Sequence, residues 1–184
     1  MVRPAVQLHP PRTPVAPRPA ATLLWLRDTA AGPEVLLTRR SPNASFLPGV
    51  FVFPGGRIDD ADAATADLVG PAADALPHLA AAVAALRESF EELGVLHAHD
   101  ALGRPVSAQA LAALQRHEPM HPQLRSRGLR LAADALRVAV RWTTDRDVQP
   151  RRFDTLFLIG RMPEGQTPVA DEAEQFEPVW LRAA

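Results

Sequence analysis

Hydrophobic and polar positions fall into short blocks that predict β-strands on both sides of one long helix. Apolar or alternating runs bounded by turn residues predict strands over 21–26, 34–39, 50–53, 138–142, 153–159 and 177–181. The turn residues at 31–33 indicate that the first two strands form a hairpin. Strands before and after a long helix predict a layered α/β fold with a mixed sheet.

The longest predicted helix covers residues 78–93. This segment is rich in Ala, Leu and Glu, contains no glycine, and is followed by Gly94 as a C-terminal stop. A second helix is predicted over 107–116, where a serine supplies the N-cap. The segment 124–136 is ambiguous and is expected to be helical in part, and 59–77 is expected to be a loop with at most a helical turn.

The first 20 residues form a proline-rich arm. Six prolines in this stretch fix φ and remove backbone donors, which excludes a helix interior or a central strand. Residues 1–20 are therefore predicted to be extended or disordered, and 21–184 to form one domain. The apolar fraction of 47% is high enough for a packed core over most of that length.

Composition narrows the classes of partner and of metal ligand. The net charge of -1 gives no indication of binding to nucleic acid or to an anionic membrane. The chain has no cysteine, so any metal must be held by oxygen or imidazole, and carboxylates favour Mg²⁺ or Mn²⁺. It has no run of 18 apolar residues and no continuous apolar signal segment, and a cytoplasmic location is the expectation.

A cluster of acidic residues near the end of the long helix is the most informative feature. Glu88, Glu91 and Glu92 occupy positions i, i+3 and i+4, so they share one helical face with Cβ atoms about 5–6 Å apart. Their mutual repulsion would be relieved by a divalent cation. A solvated acidic face is the alternative for this pattern taken alone.

The surrounding residues resemble a Nudix box, the pattern G-x5-E-x7-REUxEExGU in which U is apolar. Gly56 fits the opening glycine, and the segment 87–95 fits the second half. Asp62 falls at the place of the first glutamate. Ser89 occupies a position that is usually apolar, and Gly56 to Arg87 spans 31 positions where the pattern spans 14, an insertion of 17 residues that leaves the role of Asp62 open.

The split box resembles the coenzyme A diphosphatase branch of the Nudix superfamily. Leu36-Leu37-Thr38, Gly49 and Phe53-Pro54-Gly55-Gly56 lie at the spacing of that branch's signature. Two positions depart from it: Arg40 stands where a hydroxyl residue is usual, and Ser45 stands where the signature has an arginine. Arg39 or Arg40 is expected to replace the missing arginine as a phosphate contact.

The resemblance implies an α/β/α sandwich with a mixed sheet and a catalytic helix, with 57–77 as the loop that carries the insertion. It implies hydrolysis of a diphosphate bond with Mg²⁺ or Mn²⁺ held by Glu88, Glu91, Glu92 and the Gly55 carbonyl. It also implies that Arg87 forms an ion pair that orients the helix, and that Glu88 or a carboxylate near it acts as general base.

Further candidates lie outside the helix. The residues expected to contact substrate are Arg39, Arg40, Gly56, Arg151 and Arg152. The resemblance also implies one further acidic residue from the loop before the last strand that completes the metal site, and the candidates are Asp171, Glu172 and Glu174. The histidines from His78 onward are expected to be solvated, whereas Trp25, Trp142 and Trp180 are expected in the core.

Three functions stay open on the sequence. The first is cleavage of coenzyme A or acyl-CoA to 3′,5′-ADP and (acyl-)phosphopantetheine. The second is hydrolysis of ADP-ribose or a dinucleotide, and the third is a ligand-binding module without turnover, which the intact set of glutamates disfavours. Relatives usually continue into a C-terminal helix after the last strand, so either a truncated chain or a homodimer that covers this face is expected.

Overall fold

The structure, a computed structural model, describes residues 15–44, 47–144 and 152–182. Its strands are β1 (Arg18–Thr29), β2 (Gly32–Arg40), β3 (Phe51–Val52), β4 (Gly55–Arg57), β5 (Ala98–His99), β6 (Arg130–Leu131), β7 (Arg137–Thr143), β8 (Phe153–Arg161) and β9 (Gln175–Arg182). Its helices are α1 (Asp60–Ala63), α2 (Ala66–Val69), α3 (Leu79–Leu93), α4 (Ala108–Ala112) and α5 (Met120–Ser126), with short 3₁₀ segments at Gly70–Ala75 and Ala133–Ala135.

The main sheet of the described residues is mixed and is built around β1. Strand β1 runs parallel to β8 and antiparallel to both β2 and β4. Strand β7 pairs antiparallel with β8, whereas β3 and β9 pair antiparallel with β2. The short strands β5 and β6 form a separate ribbon. The predicted hairpin and the predicted α/β fold with a mixed sheet are confirmed.

Helix α3 packs against one face of the sheet and forms much of the core. Its apolar side chains and those of the central strands are fully or almost fully buried, among them Val83, Leu86, Phe90, Leu93, Ala21, Leu23 and Trp25. Gly94 ends the helix at φ 67°, and its N–H donates to the carbonyl of Phe90. The predicted helix and its glycine stop are confirmed.

Ser89, which occupies a usually apolar position of the box, forms a hydrogen bond with a tryptophan of the sheet. The indole Nε1 of Trp25 donates to Ser89 Oγ at 2.7 Å, and Ser89 Oγ donates to the carbonyl of Val95 at 3.0 Å. All of Ser89 and Trp25 is buried. A buried indole N–H requires an acceptor, and Ser89 supplies it.

The structure corrects several boundaries. Strand β1 begins at Arg18, inside the stretch assigned to the arm, because a proline is tolerated near the first residue of a strand. Residues 1–14 lie outside the described residues. The segment 59–77 holds α1, α2 and a 3₁₀ turn instead of a plain loop, since Asp59 and Asp62 cap α1 reciprocally.

Two expectations about side-chain burial were wrong. Trp142 is 58% exposed because β7 lies at the edge of the described sheet. His121 is only 6% exposed, although it was expected to be solvated. Among the described residues, no helix combines the length and the hydropathy that a transmembrane segment needs.

Candidate active site

Arg87 directs its guanidinium N–H groups at four neighbouring residues. Nε and Nη2 donate to the two carboxylate oxygens of Asp62 at 2.9 and 3.0 Å. Nη1 donates to Glu88 Oε1 and to Glu91 Oε2, both at 2.9 Å. Nη2 also donates to the carbonyl of Arg57 at 2.9 Å. These five bonds match the five donors of a guanidinium, so Arg87 holds two of the three helix carboxylates in place.

The electrostatics of this cluster keep Arg87 charged. Burial acts to lower the pKa of Arg87, but its hydrogen bonds to Asp62 and the negative charges of Glu88 and Glu91 raise that pKa above its ordinary value. The ion pair predicted for Arg87 is therefore present in the structure, and its partners include an acid that the helix does not carry.

Asp62 is that acid, and its role was left open by the sequence. Its side chain is fully buried and also accepts the backbone N–H of Asp59 at 2.9 Å. Burial acts to raise the pKa of Asp62, but contacts with His121 and Arg87 hold it below its ordinary value. The capping pattern of Asp59 and Asp62 is the signal that fixes this residue despite the insertion.

The helix carboxylates are unusually desolvated. Burial raises the pKa of Glu88 to about 7, against the lowering effect of Arg87. Burial also raises the pKa of Glu91, and it raises the pKa of Glu92 to about 8. Glu92 is 4% exposed, and its oxygens accept the N–H of Gly55 at 3.1 Å and Nε2 of Gln175 at 2.6 Å. Glu88 and Glu91 are half-buried, and a set of partly desolvated carboxylates with raised pKa values is typical of a functional site.

The two glycines before α1 are required by close approach. An added Cβ at Gly56 would overlap the carboxylate of Glu88, and one at Gly55 would overlap the backbone of β1 at Ala21 and Thr22. Gly55 also has a φ of 156°, which favours glycine. Gly55 and Gly56, at the start of β4, therefore lie directly against the helix carboxylates.

The donor set fits a hard divalent cation by its chemistry. It consists of carboxylate oxygens from Glu88, Glu91 and Glu92, and the raised pKa values show that unbalanced negative charge is costly here. Within 15–44, 47–144 and 152–182, no group of three or more His, Asp or Glu side chains already forms a cage around one point. Arg87, Gly55 and Gln175 hold several of the oxygens instead.

The three acidic candidates in the loop before β9 differ in their surroundings. Asp171 accepts backbone N–H groups from residues 173–175, so it stabilises the turn. Glu172 is exposed at a φ of 58°. Glu174 lines both cavities described below, and its charge contributes to the raised pKa values of Glu88 and Glu92. Glu174 is therefore the candidate that faces the helix carboxylates.

Two cavities meet at these carboxylates. The larger, of about 850 Å³, extends over the sheet face opposite the core and is walled by Phe53, Trp142, Phe153 and Phe157, with Arg18, Arg40 and Arg57 around it. The smaller, of about 500 Å³, is bordered by His117, Met120 and His121 of the α4–α5 region. Glu88, Glu91, Glu92 and Glu174 line both.

The arginines predicted to contact substrate have different surroundings in the structure. Arg40 lines the larger cavity, and its Nε is buried without a hydrogen-bond partner among the described residues. Arg39 is exposed and contacts the carbonyl of Gly49 and the carboxylate of Glu177. Arg152 donates to the backbone carbonyls of Thr144 and Val15. Arg151 and Ser45 lie outside the described residues.

Sequence reasoning missed several residues around the site. These are Gln175, which holds Glu92; His121, which approaches Asp62; Arg116, which donates to the carbonyl of Glu91; and the cavity arginines Arg18 and Arg57. They lie in different elements. His121 is the one that belongs to a local pattern, His117-Glu118-Pro119-Met120-His121, in which two histidines are four residues apart.

Comparison with known proteins gives one consistent result. The family model described as NUDIX domain matches residues 16–184. The crystal structure of a NUDIX hydrolase from Alicyclobacillus acidocaldarius is 35% identical, with a TM-score of 0.75, and the match covers 90% of this chain and 78% of that one. A MutT/nudix family protein from Enterococcus faecalis is 16% identical, with a TM-score of 0.52 over 95% of this chain and 46% of that one, and shows the fold alone.

A curated relative also matches part of the chain. A probable nudix hydrolase of Schizosaccharomyces pombe is 37% identical over 94 residues, which are 51% of this chain and 27% of the relative. The matched stretch is thus about a quarter of that relative's own length.

Proposed function

The chain belongs to the Nudix family, and we propose on this basis that it is a divalent-metal-dependent hydrolase of nucleoside diphosphate-linked compounds. The observation that carries the proposal is the cluster of half-buried Glu88 and Glu91 and buried Glu92, which two cavities border. Arg87 holds the first two of these carboxylates. A diphosphate placed at this cluster has room for a different group on each side.

We assign roles to the residues as follows. Glu88, Glu91, Glu92 and the Gly55 carbonyl would hold Mg²⁺ or Mn²⁺. The bound cation supplies charge neutralisation for the diphosphate oxygens and makes water more acidic. Water attacks one phosphorus, the P–O bond of the anhydride breaks, and the proton passes to Glu88 or Glu174. Gly56 lets the Glu88 carboxylate approach β4 closely, and its role as a substrate contact stays a prediction.

We propose coenzyme A or acyl-CoA as the substrate, giving 3′,5′-ADP and (acyl-)phosphopantetheine. The support is the larger cavity, whose aromatic walls suit a flat base and whose buried Arg40 Nε has no partner among the described residues. A guanidinium suits the additional 3′-phosphate that distinguishes coenzyme A from other nucleoside diphosphates. Arg40 therefore takes the role of the signature arginine, whose position in this chain is occupied by Ser45. Arg39, Arg151 and Arg152 stay predictions as further phosphate contacts.

The test is a panel of coenzyme A, dephospho-coenzyme A, ADP-ribose and NADH assayed with Mg²⁺ or Mn²⁺. Arg40→Gln should raise KM for coenzyme A about tenfold through loss of a charged hydrogen bond, and should change KM for dephospho-coenzyme A by less than about twofold. Arg161→Gln, at an exposed arginine of β8 that lines neither cavity, is the matched control and should change neither KM. Equal effects of Arg40→Gln on both substrates would refute the assignment of Arg40.

The panel also separates the rival functions. Hydrolysis of ADP-ribose or a dinucleotide without cleavage of coenzyme A would refute the coenzyme A proposal and support a hydrolase of ADP-ribose or dinucleotides. Glu91→Gln should lower kcat by about 10²-fold or more if Glu91 holds the cation, and unchanged turnover would remove it from the site. A protein that binds these ligands and hydrolyses none would be the non-catalytic module. The homodimer, the absence of nucleic-acid and membrane partners, and the cytoplasmic location stay predictions.

A further inference from the structure

His121 is a buried polar residue that the proposed reaction does not use. It lies in the first turn of α5, is 6% exposed, and borders the smaller cavity. Its Nε2 is buried and has no hydrogen bond among the described residues. The nearest recorded polar group is Oδ1 of Asp62, at 3.4 Å. A buried nitrogen without a hydrogen-bond partner lowers the stability of the fold, so its presence here calls for an explanation.

Asp62 is the residue through which His121 reaches the site. The Oδ1 atom that faces His121 also accepts Nε of Arg87 at 2.9 Å, and Arg87 in turn holds Glu88 and Glu91. Asp62 lies on the short helix α1, whose own backbone caps supply one further bond to the carboxylate. Aspartate is one methylene shorter than the glutamate of the Nudix pattern. The hydrogen bonds between Asp62 and Arg87 therefore depend on the position of α1 relative to α3.

We propose that His121 is a positioning residue, which holds Asp62 against Arg87 and thereby fixes Glu88 and Glu91 for the divalent cation. With its proton on Nε2, His121 donates to Asp62 Oδ1 and ties α5 to α1. Hydrogen bonds of this kind are often long in unliganded sites and shorten when the ligand binds. The inference rests on the proposed metal-dependent function, because its consequence is the order of the metal ligands.

The substitutions that test this role are His121→Gln and His121→Leu. Glutamine keeps a donor at the position of Nε2, whereas leucine fills similar space without one. Mn²⁺ titration of the metal-free full chain by calorimetry should give a Kd about tenfold higher for His121→Leu than for wild type, with His121→Gln within about threefold. His78→Asn, at an exposed histidine where α3 begins, should leave the Kd unchanged.

Steady-state kinetics add a second measurement. His121→Leu should lower kcat at subsaturating Mn²⁺, and excess Mn²⁺ should restore most of it, while KM for the substrate stays constant. Wild-type Mn²⁺ affinity in His121→Leu would overturn the proposal. Equal losses of affinity in the leucine and glutamine variants would also overturn it, because they would show that the hydrogen-bond donor of residue 121 does not matter and that its role is packing alone.

A double-mutant cycle separates this proposal from the proposed function. Urea unfolding of metal-free His121→Leu, Asp62→Asn and the double variant should show that the two losses are not additive. Additive losses would overturn the His121–Asp62 link even if the enzyme is active. Non-additive losses in a protein that neither binds Mn²⁺ nor hydrolyses any substrate would retain the link and refute the metal-dependent function instead.

Discussion

At the scale of single residues, the site depends on the shape of one guanidinium. Arg87 places two bonds on Asp62, one each on Glu88 and Glu91, and one on the carbonyl of Arg57. A lysine ammonium has three donors from a single point and cannot form the fork to Asp62 while it reaches both glutamates. Residue 87 therefore needs the geometry of a guanidinium as well as its positive charge.

We therefore expect Arg87→Lys to lower kcat/KM by about 10²-fold and the free energy of unfolding by about 2 kcal/mol, because buried acceptors lose their donors. Enzyme assays and urea unfolding measure the two effects. Arg125→Lys is the matched control, since Arg125 makes the same fork to Asp67 on the surface. It should change stability by less than about 1 kcal/mol and leave activity unchanged. Comparable losses in both variants would contradict the role of Arg87.

At the scale of elements, the long helix was predictable and its neighbours were less so. Local signals fix α3, because its composition and Gly94 act within the helix itself. The segment 59–77 was expected to be a loop, since Gly70 and Pro71 interrupt it, but tertiary contacts of buried Leu68 and Val69 support short helices there. Strand β3 shortens to two residues for the same reason, as pairing partners set its length.

The contact between α3 and β1 leads to a prediction about the box itself. Ser89→Leu restores the usual apolar residue, yet it removes the acceptor of the Trp25 indole and overfills a fully buried position. We expect a loss of about 2–3 kcal/mol in the free energy of unfolding, measured by urea denaturation. The variant Trp25→Phe with Ser89→Ala removes donor and acceptor together and should lose less than the sum of its single changes. Additive losses would show that the indole bond contributes nothing specific.

At the scale of the whole molecule, the site is assembled from parts that are distant in sequence. The carboxylates come from α3, the acid that pairs with Arg87 comes from α1, and Gln175 and Glu174 come from the start of β9 and the loop before it. The sequence indicated the first group through spacing within one helix. It could not indicate Gln175 or His121, because only the packing of β9 and α5 brings them to the helix.

This assembly partly desolvates Glu88 and Glu92, and their raised pKa values make the stability of the protein depend on pH. Between pH 4.5, the ordinary pKa of a glutamate, and pH 7–8, the folded metal-free chain binds protons on Glu88 and Glu92 that the unfolded chain has released. The free energy of unfolding therefore falls as pH rises through this range. A bound divalent cation displaces those protons, so its affinity rises with pH.

We expect the Tm of the metal-free protein to fall from pH 5.5 to 8.5, and the increase in Tm on adding saturating Mg²⁺ to grow over the same range. Differential scanning calorimetry at matched ionic strength measures both. The variant Glu88→Gln with Glu92→Gln is the control: without the two titrating groups, the metal-free Tm should depend less on pH and Mg²⁺ should raise it little. Every other titratable side chain is present in both proteins, so the difference between their pH profiles reports Glu88 and Glu92. Identical pH profiles for the two proteins would mean that these glutamates are already ionised without metal, and that their burial carries no cost for a cation to relieve.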